Sequence, residues 1–151
     1  MKLMKRVNGG REMSSNERHE GGCHCGGVRY VVEGELRPVI LCHCYDCMKT
    51  IGTSIAATAA SDDDVTITGD SLKWYQSSAI AKRGFCEDCG ASLFYKAFEK
   101  AHLSITAGTL DDASGLACGG QIYGHDHPGF MPMPEDVPHI DQTFFAKDDD
   151  K

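Results

Sequence analysis

The chain has 151 residues, seventeen of them glycine, and a formal net charge of −7 with a pI near 5.4. The length suits one domain, and the acidity excludes attraction to a phosphate backbone by charge alone. Only 29 residues are Leu, Ile, Val or Phe, just under the level at which charged chains stay unfolded, so a thin core calls for a further staple.

Residues 1–20, "MKLMKRVNGGREMSSNERHE", are polar and aperiodic and are predicted to form a disordered arm. They contain charges but no apolar stretch of signal-peptide type, and no run approaches membrane-spanning length. The expectation is a soluble cytoplasmic chain with reduced thiols and no membrane or nucleic-acid partner. "GVRYVVEG" (27–34) then alternates, with Val28, Tyr30 and Val32 on one face. "RPVILCHC" (37–44) reads as a second strand and "TSIAATAA" (53–60) as a third, with "CYDCMKTIG" (44–52) as a short helix between them. "SDDD" (61–64) reads as a solvated turn leading into "VTITGD". "SLKWYQ" (71–76), "IAKRGF" (80–85), "ASLFYK" (91–96) and "HLSITAG" (102–108) continue the strands, and "TLDDASG" (109–115) reads as a second short helix. The tail at 142–151 is predicted to be flexible and solvated. The fold expected is one mainly β, mostly antiparallel domain of short strands.

Eight cysteines supply the candidate staple. Cys23/Cys25 and Cys42/Cys44 are read as strand pairs, in which residues i and i+2 point the same way, so His24 and His43 are expected to face outward. Cys86 and Cys89, followed by Gly90, have the spacing of a zinc knuckle, as do Cys44 and Cys47. Seven clustered thiols divide as four plus three. Cys42, Cys44 and Cys47 lie close enough in sequence to wrap one ion, and the pairs Cys23/Cys25 and Cys86/Cys89 can close a four-cysteine site across the fold. Structural zinc takes four closed ligands, whereas catalytic zinc keeps a corner open. Two alternatives stand: disulfides in place of metal, and a fourth ligand for the second site from Cys118 or a histidine. Cys118, in "LACGGQ", reads as a small buried hydrophobe.

"GGCHCGGVRYVV" (21–32), "CHCYDCMKTIGT" (42–53), "RGFCEDCGASLF" (83–94) and "AGTLDD" (107–112) resemble, in order and spacing, the glutathione-dependent formaldehyde-activating enzyme family, which also contains centromere protein V. The resemblance implies an Mss4-like β-tent of short antiparallel strands stapled by zinc, spanning 21–141. It implies two Zn2+ per chain, with Cys23, Cys25, Cys86 and Cys89 holding a structural ion and Cys42, Cys44 and Cys47 a catalytic one. It further implies a carbon–sulfur lyase related to S-(hydroxymethyl)glutathione synthase, acting on a small thiol such as glutathione and a small aldehyde such as formaldehyde. The pattern departs from the family in "QIYGHDHPGFMPMPEDVP" (121–138), where Phe130 stands near an expected tryptophan. His125 and His127 in that segment are candidates for proton transfer. The competing reading is a non-catalytic zinc module of the centromere protein V type. A chromatin binder wants a long basic arm, and residues 1–20 hold five Lys/Arg against three Glu. A redox switch at Cys44 and Cys47 is a third reading, which bound zinc would exclude.

Overall fold

A computed structural model of the chain describes residues 7–8, 11–12 and 17–140. Most of the expected arm at 1–20 and the tail at 142–151 lie outside the described residues. Val7–Asn8 (β1) and Arg11–Glu12 (β2) make a two-residue antiparallel ladder. Arg18–Gly22 (β3) follows, pairs antiparallel with Arg29–Glu33 (β4), and draws residues 18–20 from the arm into a sheet. Its sequence, RHEGG, carries no apolar alternation. It is held as a strand by the partner's backbone and by Arg18, whose guanidinium reaches Glu20 and Glu33.

Val39–Cys42 (β5) runs into the helix Tyr45–Ile51 (α1), and the chain returns along Ile55–Ser61 (β6). A single 3-10 turn over Asp62–Asp64 leads to Val65–Thr68 (β7). Leu72–Gln76 (β8), Ala81–Cys86 (β9), Ser92–Ala97 (β10) and His102–Thr106 (β11) form a meander, and Cys118–Ile122 (β12) closes the series. The strands make a three-stranded sheet, β3-β4-β7, and a seven-stranded sheet, β12-β5-β6-β11-β10-β9-β8. Pairing is antiparallel throughout except between β12 and β5. The fold is therefore the mainly β, largely antiparallel architecture that the strand spacing predicts.

The core lies where the two sheets face each other. Val28, just before β4, and Tyr30 and Val32 within it are fully buried in one cluster with Leu93, Phe94, Leu103 and Ile105 of the second sheet. Each such burial stabilises by about 1.5–3 kcal/mol. Tyr30 meets Phe94 edge-on at 5.4 Å and hydrogen-bonds Thr109 Oγ1 at 2.9 Å. Cys23 and Cys86 belong to this same buried cluster, so half of the first cysteine group is part of the core.

Two local expectations fail. The second helix, expected at 109–115, is replaced by a 3-10 turn over Ala107–Thr109 and irregular chain beyond it. Asp112 Oδ1 accepts from the backbone N–H and the hydroxyl of Ser114 at 3.0 and 2.6 Å, local bonds that compete with helical ones. Cys118 is exposed rather than buried, because it starts β12 at the sheet's outer edge. Among the described residues, no helix is long and apolar enough to cross a membrane.

Candidate metal centre

The first group of sulfurs is built from two turns. Cys23 and Cys25 lie in the loop between β3 and β4, not within a strand as the i, i+2 reading supposed. Cys23 N–H bonds Val28 O at 3.0 Å, Val28 N–H donates to Cys23 Sγ at 3.2 Å, and the chain reverses at Gly26 with φ +84°. Cys86 and Cys89 sit in the turn from β9 to β10, where Gly90 N–H closes on Cys86 O at 2.8 Å with φ +76°. A side chain at either glycine would be strained, since L-residues rarely adopt that region. Ser71, just before β8, joins the two turns. Its N–H donates to Gly27 O, its carbonyl accepts from Glu87 N–H, and its hydroxyl donates to Asp88 Oδ2 at 2.5 Å.

All eight cysteines are free. In this group Cys25 Sγ is 3.6 Å from Cys23 Sγ and 3.7 Å from Cys86 Sγ, and the four sulfurs all lie within 4.8 Å of one another. Those distances are far longer than a disulfide. They match the edge of a tetrahedron of thiolates around an ion with metal–sulfur bonds of about 2.3 Å, an edge of about 3.8 Å. The surroundings favour thiolate at selected corners. Cys89 is drawn down to about 6, chiefly by the Ala91 N–H and then by the N–H of Cys25. Cys25, which the Gly27 N–H lowers, is nevertheless pushed up to about 12 by the bonds it shares with Cys23 and Cys86.

The second group is local. Cys42 ends β5, Cys44 caps α1 by accepting from Cys47 N–H at 3.4 Å, and Cys47 lies buried in the first turn of that helix. Their three sulfurs are within 4.8 Å of one another, and no fourth Cys, His, Asp or Glu of the described residues joins them. Bonds from the Cys42 and Cys47 thiols, then the backbone N–H groups of Cys47 and Asp46, hold Cys44 well below the usual thiol range. Cys42 is pushed up correspondingly. The donor set and its spacing suit a soft, thiophilic ion with one position left over.

His43 is buried, against expectation, whereas His24 is exposed as expected. Cys42 and Cys44 stand at a strand-to-helix junction, so the residue between them turns inward. His43 Nε2 donates to Gln121 Oε1 at 2.9 Å, and Nδ1 shares a hydrogen bond with the Ser54 hydroxyl at 2.5 Å. With both nitrogens engaged, the ring has no lone pair for a metal. Gln121, itself fully buried, donates from Nε2 to Pro134 O and Val137 O, both at 2.9 Å. Sequence reasoning passed over Ser54, Ser71 and Gln121, because a single polar residue in an apolar or loop segment carries no local signature.

His125 and His127 separate. His125 is exposed beside Asp126, whereas the His127 ring meets His43 edge-on at 5.1 Å with its Nε2 buried and unpartnered among the described residues. Phe130 is largely exposed. Trp74 lies in a strand as predicted, stacked on Phe94 at 6.1 Å. A cavity of about 350 Å³ opens between the end of α1 and strands β8–β11, bounded by Thr50, Tyr75, Arg83, Phe85, Ser92 and Thr106. Arg83 Nη2 is 3.7 Å from Cys47 Sγ, so the cavity adjoins the three-cysteine group.

The chain is similar to several known proteins. The profile of the glutathione-dependent formaldehyde-activating enzyme family matches residues 18–126. An uncharacterised lyase of Schizosaccharomyces pombe is 26% identical over 77 residues, which cover 51% of this chain and 56% of that one. A Halomonas elongata protein, provisionally named a glutathione-dependent formaldehyde-activating enzyme, is 33% identical over 84 residues, covering 50% and 54%. The chain thus spans about half the length of these curated relatives. A crystal structure of a Rhodobacter sphaeroides protein shares the fold with a TM-score of 0.54 at 24% identity, covering 64% of this chain and 91% of that one. With most of its length matched, the chain belongs to the glutathione-dependent formaldehyde-activating enzyme family.

Proposed function

We propose that the protein is a zinc-dependent carbon–sulfur lyase of the S-(hydroxymethyl)glutathione synthase type, which forms or cleaves a thiol–aldehyde adduct at the three-cysteine group. The observation that carries this reading is the contrast in ligand count, four sulfurs in one group and three in the other. Cys23, Cys25, Cys86 and Cys89 would hold a structural zinc. A catalytic zinc on Cys42, Cys44 and Cys47 would supply a position for an incoming sulfur, charge that favours its thiolate, and Lewis acidity toward a carbonyl oxygen.

The chain's own residues do the rest. His43, fixed by Ser54 and Gln121, sets the directions of the cysteines on either side of it. Cys47 is further held by Arg83. In the forward reaction the thiol sulfur adds to the aldehyde carbon, the carbonyl π pair moves to oxygen, and the thiol proton ends on the new hydroxyl. The reverse step breaks the same carbon–sulfur bond. His127, with a buried and unpartnered Nε2 beside His43, is the better placed of the two histidines to carry that proton. The names of the relatives, a lyase and a glutathione-dependent enzyme, support the same chemistry. The test is adduct formation from glutathione and formaldehyde, followed by NMR, with metal content measured on the same sample. Two zinc ions per chain and turnover that Cys44→Ser abolishes are expected. Two zinc ions without turnover, the second closed by four protein ligands, would favour a binding module instead.

A further inference from the structure

Arg83 lies on β9 in register with Tyr75 on β8 and Tyr95 on β10, so the three side chains share one face of the sheet. Its guanidinium carbon is 5.0 Å from the centre of the Tyr95 ring, and Nη2 is 3.7 Å from Cys47 Sγ. Nε is buried and has no hydrogen-bond partner among the described residues. None of the ion pairs formed by the described residues includes this side chain. A guanidinium presents a planar fork of donors that matches a carboxylate, and a buried donor left unpaired is costly. The same side chain borders the 350 Å³ cavity, whose other walls offer hydroxyls from Thr50, Ser92 and Thr106 and rings from Tyr75, Phe85 and Phe94. That volume lies at the low end of small-molecule sites, about 300–1,000 Å³.

We propose that this cavity seats the thiol substrate and that Arg83 binds its carboxylate, which makes Arg83 the residue that selects carboxylate-bearing thiols. The proposal rests on the lyase reading for the identity of the ligand as a substrate. A ligand that fills this cavity beside Cys47 carries a sulfur and a carboxylate in one molecule. N-acetylcysteine has the two a few bonds apart, glutathione has them further apart through its terminal glycine, and simple alkyl thiols lack the carboxylate.

The test is titration calorimetry on the zinc-loaded full chain with N-acetylcysteine and with N-acetylcysteine amide, which differ in the carboxylate alone. Wild type is expected to bind the acid about tenfold or more tightly than the amide, with the preference falling as salt rises. Arg83→Gln should lose the preference. Equal binding of acid and amide by wild type would overturn the proposal and leave Arg83 as a partner of Cys47 only. If Arg83→Gln does not fold, the wild-type comparison decides by itself. Acid preference without thiol–aldehyde turnover would sink the lyase reading but not the carboxylate seat, and turnover without acid preference would do the reverse.

Discussion

Cys23, Cys25, Cys86 and Cys89 come from two turns, with Cys25 and Cys86 separated by 61 positions, whereas Cys42, Cys44 and Cys47 lie on one strand-to-helix junction. The first group ties the three-stranded sheet to the seven-stranded one and places two of its sulfurs in the core. The second closes no long loop. An ion in the first site would therefore be a staple, because losing it releases both turns from each other. An ion in the second could leave without separating any pair of strands. On the proposed reading the same residue type would serve stability in one place and chemistry in the other, and the difference would come from how much chain each site closes and how many ligands it offers.

The largest effect that sharpens this contrast is expected from Cys86→Ser. It removes a ligand in the core and should unfold the domain or lower Tm by about 10 °C or more, read by calorimetry beside metal analysis. A variant that lost its metal and melted like wild type would refute the stapling role. Cys44→Ser should leave the fold intact by circular dichroism while thiol–aldehyde turnover falls on the order of a hundredfold or more.

Mild chelation follows in magnitude. It should release one zinc before the other, with the β signal in circular dichroism preserved during the first release. A thiol that occupies the open position should slow that release. Simultaneous loss of both ions with global unfolding would erase the distinction between the sites.

Gln121→Leu leaves His43 Nε2 unpaired in a buried place and removes the partner of two half-buried carbonyls. It should cost about 1–3 kcal/mol in denaturant unfolding and weaken the second site more than the first.

The smallest effect concerns the core beside the first site. Burial pushes the Tyr30 phenol up to about 12 from its usual 10, against a smaller lowering by Thr109. A raised folded pKa means that the contribution is fully present below the unfolded pKa and is lost as pH rises through the folded one. Stability should therefore fall between about pH 10 and 12 more steeply in wild type than in Tyr30→Phe, with alkaline melting curves as the measurement.

The alternation of Val28, Tyr30 and Val32 made that strand and its buried face legible, because period-2 burial is a property of a single segment. The pairing partners in β3 and β12 were not. RHEGG and CGGQI have weak intrinsic strand preference and become strands through the backbone groups of β4 and β5. Cysteine spacing likewise grouped seven sulfurs as four and three, and their positions agree. The reason assigned for the Cys-x-Cys pairs was mistaken, since a turn and a helix cap bring those sulfurs together, not strand pleating. That error carried the wrong side for His43 with it.

Covalent spacing alone determined the local content of each cysteine motif, since a few bonds limit how far two sulfurs can be apart. Composition determined the thin apolar core that makes a staple useful. Only the tertiary structure decided that Ser71 would bridge two distant turns, that Gln121 and Ser54 would take both nitrogens of His43, and that Arg83 would lie between Cys47 and a cavity. These contacts join residues far apart in the chain. Each depends on a single polar side chain whose role is set by its three-dimensional neighbours, so no periodicity or motif along the sequence encodes it.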